Sequence, residues 1–157
     1  MFRRTFPVAC VLVAVALGCG GNERGHHQHE GEHKAAHGGC LNALGTCENG
    51  HAEAKLEGDV LQVWFVGGGS DTDKAVRIPD GEITLTVTLE GEKEARTLVL
   101  KAKPNELAEE KEGDCSRFEG KEDWLRGLTT FVATGRATFK GKPQDVRIEY
   151  PKGYDPD

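Results

Sequence analysis

Apolar and polar residues alternate along most of the chain after residue 50, a pattern typical of β-strands that bury one face. The clearest run extends from Ile83 to Leu89, where four aliphatic residues alternate with three threonines. Similar alternation covers residues 51–57, 60–66, 95–102, 131–139 and 146–150. The period of an amphipathic helix is not sustained anywhere, and we expect only single helical turns, around 106–110 and 122–126.

Turn-forming residues separate these segments. Gly58-Asp59 predicts a two-residue hairpin turn, and Asn49-Gly50 predicts another turn just before His51. Short strands are also expected at 75–78 and 115–118, and a turn at 141–143. Regularly spaced short strands with turn signals predict an all-β domain, a single antiparallel β-sandwich of seven or eight strands that is immunoglobulin-like in class.

The first nineteen residues have the pattern of an export signal. Arg3 and Arg4 precede an apolar run of ten residues, Val8 to Leu17, which is too short to cross a membrane as a helix. The run ends in Ala-Leu-Gly-Cys, which resembles the bacterial lipobox, and this resemblance implies that residues 1–18 are removed and that Cys19 is lipidated. The alternative is an ordinary signal peptide cleaved near Gly20, which would release a secreted protein.

A lipid anchor would hold the protein in the cell envelope. Gly20, rather than an aspartate, follows Cys19, and by analogy with lipoprotein sorting this favours the outer membrane, facing the periplasm. Without residues 1–18 the chain keeps 18 basic and 26 acidic side chains, a formal charge of −8. This acidic balance excludes nucleic acid as a partner and argues against adsorption to anionic lipid. The anchor is therefore the expected membrane contact.

The composition predicts three further regions after the signal peptide at 1–18. Residues 19–39 are rich in Gly, His and Glu and are expected to form a disordered tether, because they hold almost no apolar surface to bury. Residues 40–151 have the size of one compact β-domain. Residues 152–157 form a short C-terminal tail.

Histidine is concentrated in the predicted tether. Neutral imidazoles bind Zn²⁺, Cu²⁺ and Ni²⁺, and several on one mobile segment can converge on an ion without a preformed cage. The alternative is a solvated polar linker with no metal. The candidate ligands are the five tether histidines and the single histidine of the β-domain: His26, His27, His29, His33, His37 and His51.

Three cysteines remain in the domain once Cys10 and Cys19 are assigned to the export signal: Cys40, Cys47 and Cys115. Export favours a structural disulfide among them, while a metal role and a redox role are the alternatives. If residues 41–46 form a strand, Cys40 and Cys47 are too far apart to pair, and Cys115 becomes the partner of one of them. The predicted turn at Asn49-Gly50 would also bring His51 opposite Cys47, as a zinc or copper pair; the alternative is a surface histidine.

Signatures of the common enzyme classes are missing from the sequence. It contains no Gly-x-Ser-x-Gly, no His-Glu-x-x-His and no phosphate-binding glycine loop. The carboxylates are scattered and nominate no acid–base pair. We therefore expect a protein without catalytic activity.

Four stretches of the chain together resemble a group of small bacterial envelope lipoproteins that have no assigned activity. They are His37-Gly-Gly-Cys40, Trp64-Phe-Val-Gly-Gly-Gly-Ser70, Cys115-Ser-Arg-Phe118 and Arg147-Ile-Glu-Tyr-Pro151. More distantly, His-Gly-Gly followed by a hairpin is similar to the His-rich periplasmic domains found beside metal-efflux adaptor proteins. This second resemblance implies metal binding.

These features predict an exported, lipid-anchored β-protein that binds Zn, Cu or Ni ions as a buffer, sensor or delivery factor. The alternative is a structural or interaction module of the envelope that docks another envelope protein. In that case the histidines are incidental.

Overall fold

The computed structural model of the protein describes residues 33–156. The predicted signal peptide, the lipidated Cys19 and the tether histidines His26, His27 and His29 lie outside the described residues.

The described residues form eight β-strands. They are β1 (Cys40–Leu44), β2 (Thr46–Glu57), β3 (Val60–Val66), β4 (Glu82–Leu89), β5 (Arg96–Ala102), β6 (Arg117–Lys121), β7 (Phe131–Phe139) and β8 (Lys142–Tyr150). Three single 3-10 turns lie between them, at Gly69–Asp71, Glu106–Ala108 and Asp123–Leu125. No helix in the described part of the chain has the length and apolarity needed to cross a membrane.

The eight strands form one antiparallel sheet in the order β1-β2-β3-β6-β5-β4-β7-β8, which is nearly barrel-shaped. The predicted all-β antiparallel fold is confirmed, with eight strands. They belong to one sheet because β6 pairs with β3 through Phe118 and Val63 and also with β5 through Phe118 and Ala102. A sandwich would have left a gap between sheets at that place.

Alternate residues of the strands fill the interior of the curled sheet. Its core contains Phe65, Phe118 and Phe139, and aliphatic residues from every strand except β6 surround them. On β4 the aliphatic residues of the Ile83–Leu89 run are buried and its threonines are exposed, as the alternation predicts. Residues facing away from the core are therefore the ones available for a site.

The hairpin between β1 and β2 differs from the prediction. The chain reverses at Gly45, which adopts φ of +82°, and the residues Leu44 and Thr46 on either side of it are paired. Asn49-Gly50 lies in a bulge within β2, where the Asn49 side chain donates a hydrogen bond to the Leu44 carbonyl (2.7 Å). The predicted turn at Asn49-Gly50 is therefore wrong, because Gly45 already supplies the left-handed residue that a tight reversal needs.

The junction between the edge strands β1 and β8, here called the seam, is closed by polar contacts. The buried Asn42 amide accepts a hydrogen bond from the Glu149 N–H (2.9 Å) and donates to the Ala52 carbonyl (3.0 Å). Segment 152–156 then runs along β1: the Ala43 N–H donates to the Tyr154 carbonyl (2.7 Å), and the Tyr154 N–H donates to the Leu41 carbonyl (3.1 Å). The segment expected as a tail is thus part of the closure.

Candidate metal centre

The candidate site lies on the outer face of β2. Ala52 and Ala54 of this strand face the core, so His51 and Glu53, in the alternate positions, face outward. Both are nevertheless buried, with 2% and 0% of their surface exposed. They are covered by residues 33–39, which the sequence assigns to the tether and which lie against the sheet.

Two sets of contacts hold segment 33–39 in place. The Thr72 hydroxyl donates to the Lys34 carbonyl (3.1 Å). The Glu53 carboxylate accepts hydrogen bonds from the backbone N–H groups of His37 (2.8 Å) and Gly39 (2.9 Å), and its second oxygen lies 2.9 Å from Nδ1 of His37. These contacts anchor the segment at Lys34, His37 and Gly39 and so bring His33, at its beginning, near β2.

His33 meets two residues of β2. The ligand atoms of His33, Cys47 and His51 all lie within 4.8 Å of one another, and we call these three residues the His/Cys cluster. The imidazole rings of His33 and His51 meet edge to face with centroids 5.2 Å apart. Cys47 and His51 are buried at the floor of a cleft of about 300 Å³, and His33 is half-buried at its mouth.

The contacts of His51 prepare its ring for coordination. Its Nδ1 lies 3.2 Å from the carbonyl oxygen of Gly67, and a carbonyl can only accept, so Nδ1 carries the proton and Nε2 keeps its lone pair. Such outer hydrogen bonds orient metal-binding histidines in many proteins. Burial lowers the pKa of His51 below its ordinary value, so the neutral form that binds metal prevails at neutral pH.

The glycine-rich loop after β3 supports the floor of the cleft. Gly68 approaches the β2 bulge so closely that a Cβ added there would lie 2.2 Å from the Glu48 carbonyl oxygen and 2.7 Å from that of Cys47. A side chain at this position would push the loop away and displace the Gly67 carbonyl that orients His51. The loop therefore has a definite supporting contact with β2.

The separations within the His/Cys cluster are compatible with a bound ion. In a tetrahedral zinc site with Zn–N near 2.0 Å and Zn–S near 2.3 Å, ligand atoms stand about 3.3–3.6 Å apart. Contraction by about 1.2–1.5 Å from the observed limit of 4.8 Å would reach that geometry. His33 can supply this shift because segment 33–39 lies outside the strands.

Three of the six predicted histidine ligands lie in the described part of the chain, and they have different surroundings. His33 and His51 belong to the His/Cys cluster, and Cys47 joins them as one of the expected Cys47–His51 pair. His51 is buried and is therefore not the surface histidine of the alternative interpretation. His37 lies apart, bonded to Glu53 and stacked on Trp64 with ring centroids 4.4 Å apart.

The structural disulfide expected among the domain cysteines is not formed. None of Cys40, Cys47 and Cys115 forms a disulfide in the described part of the chain. Cys40 pairs with Ala54 at one end of the β1–β2 hairpin, while Cys47 lies near the Gly45 turn, four strand residues or about 13 Å away. Cys115 is held beside Ile78 and Glu110 instead. A disulfide needs Cα atoms within about 7 Å, which the Cys40–Cys47 separation exceeds.

The thiols outside the His/Cys cluster are poorly suited to redox or metal chemistry. Burial raises the pKa of the Cys40 thiol above its ordinary value of 9.0. Burial also raises the pKa of Cys115, with the neighbouring Glu110 charge adding to the effect. Both stay protonated at neutral pH, whereas the thiolate is the nucleophile and the metal ligand.

No protein-family model, no curated protein and no solved structure matches this chain. The resemblances to envelope lipoproteins and to His-rich periplasmic domains stay predictions.

Proposed function

We propose that this is a lipid-anchored protein of the cell envelope that binds a transition metal ion through His33, Cys47 and His51. The observation that carries the proposal is the convergence of two imidazoles and a thiol in one cleft, although His33 and Cys47 are fourteen positions apart in the sequence. The Gly67 contact that leaves Nε2 of His51 available supports the same role.

The type of ligand narrows the choice of metal. Imidazole suits zinc, copper and nickel alike, but a thiolate favours zinc and copper. Cys47 therefore moves the expectation from Zn, Cu or Ni toward Zn²⁺ and copper. No redox or catalytic role is needed to account for the site.

The position of the cleft favours a buffer or delivery factor. His33 lies at the mouth of the cleft on a segment outside the strands, so an ion can enter and leave without opening the sheet. His26, His27 and His29 precede it in the sequence and would offer weaker imidazole ligands close by. We propose that these histidines collect ions and that the His/Cys cluster holds one of them.

A titration of the purified full chain with Zn²⁺, in competition with a chromophoric chelator, tests the metal proposal. The variants are Cys47→Ser, His51→Ala and a triple change of His26, His27 and His29 to Ala, with Cys40→Ser as the matched thiol control. We expect one tight equivalent that Cys47→Ser and His51→Ala remove and that the triple variant and Cys40→Ser keep. Affinity weaker than about millimolar, or unchanged by Cys47→Ser and His51→Ala, would contradict the proposal.

Lipidation is tested separately, by growing cells that express the chain with labelled palmitate. We expect label on the wild-type protein and none on the Cys19→Ala variant. An unlabelled wild-type protein in the soluble envelope fraction would instead support an ordinary signal peptide.

A further inference from the structure

We propose that Asp155 is the fourth ligand of the His/Cys cluster and that it makes the site selective for a divalent over a monovalent ion. This inference rests on the proposed function, since it concerns the same cleft. It adds to the site a residue of the predicted C-terminal tail, and it specifies the charge of the ion that the site prefers.

Asp155 contacts the His/Cys cluster through Cys47. The Cys47 thiol donates a hydrogen bond to Oδ1 of Asp155, with Sγ and oxygen 3.3 Å apart. Asp155, His33, Cys47 and His51 all line the same cleft. A separation of 3.3 Å is close to that between two ligands of one tetrahedral ion, so the carboxylate already lies at ligand distance from the sulfur. A shift toward the two imidazoles would complete the set of four.

The backbone before Asp155 explains why the carboxylate lies there. Tyr154 exchanges two hydrogen bonds with β1, accepting from Ala43 (2.7 Å) and donating to Leu41 (3.1 Å). These two bonds fix the backbone beside β1 and so determine where the next residue, Asp155, lies. Asp155 itself is exposed, so its carboxylate can bind an ion at the mouth of the cleft without first losing all of its solvent contact.

The charges of the four ligands set the charge of the preferred ion. A Cys47 thiolate and the Asp155 carboxylate carry one negative charge each, and the two imidazoles are neutral when they coordinate. A divalent ion makes the centre neutral, whereas Cu⁺ would leave one uncompensated negative charge against buried residues. Because burying an unpaired charge is costly, the complete set favours a divalent ion such as Zn²⁺.

Binding exchanges one proton for the ion. In the metal-free protein the thiol proton lies between the Cys47 sulfur and the Asp155 oxygen, and it screens these two atoms from each other. When the divalent ion takes its place, the Cys47 S–H bond breaks and its proton passes to the solvent. No oxidation or reduction is involved.

The fourth ligand would also join three separate parts of the fold. His33 belongs to segment 33–39, Cys47 and His51 to β2, and Asp155 to segment 152–156. A bound ion would hold segment 152–156 against β1 and so stabilise the seam. The amides of Ala43 and Tyr154, which bond across the seam, report on this directly.

The test compares wild-type full chain with Asp155→Asn and Glu48→Gln. Glu48 is the matched control, because its carboxylate also acts electrostatically on His51. Zn²⁺ is the divalent probe, and Ag⁺ is a soft monovalent probe that does not change oxidation state. Loss of a hydrogen-bond partner of a metal ligand typically lowers metal affinity about 10–100-fold. Loss of a ligand itself should therefore lower the affinity at least about tenfold.

We expect Asp155→Asn to lower Zn²⁺ affinity at least about tenfold while Ag⁺ affinity stays equal or rises, and Glu48→Gln to change Zn²⁺ affinity by less than about threefold. Zn²⁺ should slow hydrogen exchange at Ala43 and Tyr154 in the wild type and not in Asp155→Asn. If the wild type binds Zn²⁺ and Asp155→Asn binds it equally well, Asp155 is not a ligand and the proposed function stands. An equal loss in Glu48→Gln would assign the effect to charge alone and overturn the inference. If the wild type binds no Zn²⁺, the proposed function and this inference fail together.

Discussion

His33 and His37 lie four positions apart on the same segment, and each covers an outward-facing residue of β2, yet their surroundings differ. His37 covers Glu53, a buried carboxylate whose oxygens accept from two backbone N–H groups and meet the His37 ring. His33 covers His51 and Cys47, which offer a lone pair and a thiol. One histidine completes a set of hydrogen bonds, and the other completes a group of side chains that could hold a metal ion.

The difference shows that the residue opposite a histidine decides its role. Glu53 is fully buried, so its carboxyl oxygens need hydrogen-bond donors, and His37 and Gly39 supply them. The stacking of His37 on Trp64 fixes the ring further. In the His/Cys cluster the Nδ1 proton of His51 is already hydrogen-bonded to the Gly67 carbonyl. The other ring nitrogen of His51, Nε2, therefore has a lone pair to offer and no proton to donate. Four predictions, from the largest effect to the smallest, test this division.

Glu53→Ala should give the largest loss of stability. It removes the acceptor of the His37 and Gly39 N–H groups, and a donor left without its acceptor costs about 1–3 kcal/mol, with the lower end expected here because both hydrogen bonds are only partly buried. We expect the free energy of unfolding, measured in urea, to fall by about 2–4 kcal/mol. Glu57→Ala is the control on the same strand, and equal stability of the two variants would contradict a structural role for Glu53.

His33→Ala and His37→Ala should separate the two roles. Without metal, His33→Ala should leave the free energy of unfolding within about 0.5 kcal/mol of wild type, because half-exposed polar residues contribute little. It should lower Zn²⁺ affinity about 10–100-fold. His37→Ala should lower stability by about 1 kcal/mol and affect Zn²⁺ less than His33→Ala does. The reverse ranking for Zn²⁺ would exchange the roles assigned to the two histidines.

Glu110 offers a second buried carboxylate without a histidine partner. Burial alone would raise its pKa, but hydrogen bonds from Ser116 and Asn105 and attraction to Arg77 hold the pKa below its ordinary value of 4.5. The ionised form is thus favoured in the folded state, so its stabilisation is present above pH 4.5 and is lost as the pH falls further.

We therefore expect the free energy of unfolding of the wild type to fall as the pH drops below about 4.5, and to fall less steeply in Glu110→Gln. Urea unfolding at a series of pH values measures this. Parallel curves for the two proteins would show that Glu110 does not contribute to acid sensitivity.

Lys152 should give the smallest effect. It lines the cleft of the His/Cys cluster and is exposed. Solvent and salt therefore weaken the repulsion between its ammonium group and a bound cation. Lys152→Met should raise Zn²⁺ affinity by about two- to threefold in low salt, and less in high salt. A fall in affinity would mean that Lys152 supports the site rather than opposing it.

The sequence predicts the strands well where one face of the strand packs on the core, as the buried aliphatic residues of the Ile83–Leu89 run show. β6 was expected at 115–118 but lies at Arg117–Lys121, because its place depends on pairing with β3 and β5, distant in sequence. The single sheet follows from that pairing and could not be read from local alternation.

Part of the candidate site could also be predicted from the sequence. The short spacing of Cys47 and His51 suggested a pair, and histidine enrichment indicated His33 among many others. Glu53 and Asp155 were missed, because a polar residue between two alanines resembles a solvated strand face and a carboxylate in a short tail resembles a free end. Only the packing of segments 33–39 and 152–156 on β1 and β2 distinguishes them.

Zinc K-edge X-ray absorption on the full chain loaded with one equivalent of Zn²⁺ tests the central claim most directly. We predict one sulfur neighbour at about 2.3 Å and nitrogen or oxygen neighbours at about 2.0–2.1 Å, with the sulfur lost in Cys47→Ser and kept in Cys40→Ser. A shell of nitrogen and oxygen alone in the wild type would place the ion on other histidines and contradict the His/Cys cluster as the metal centre.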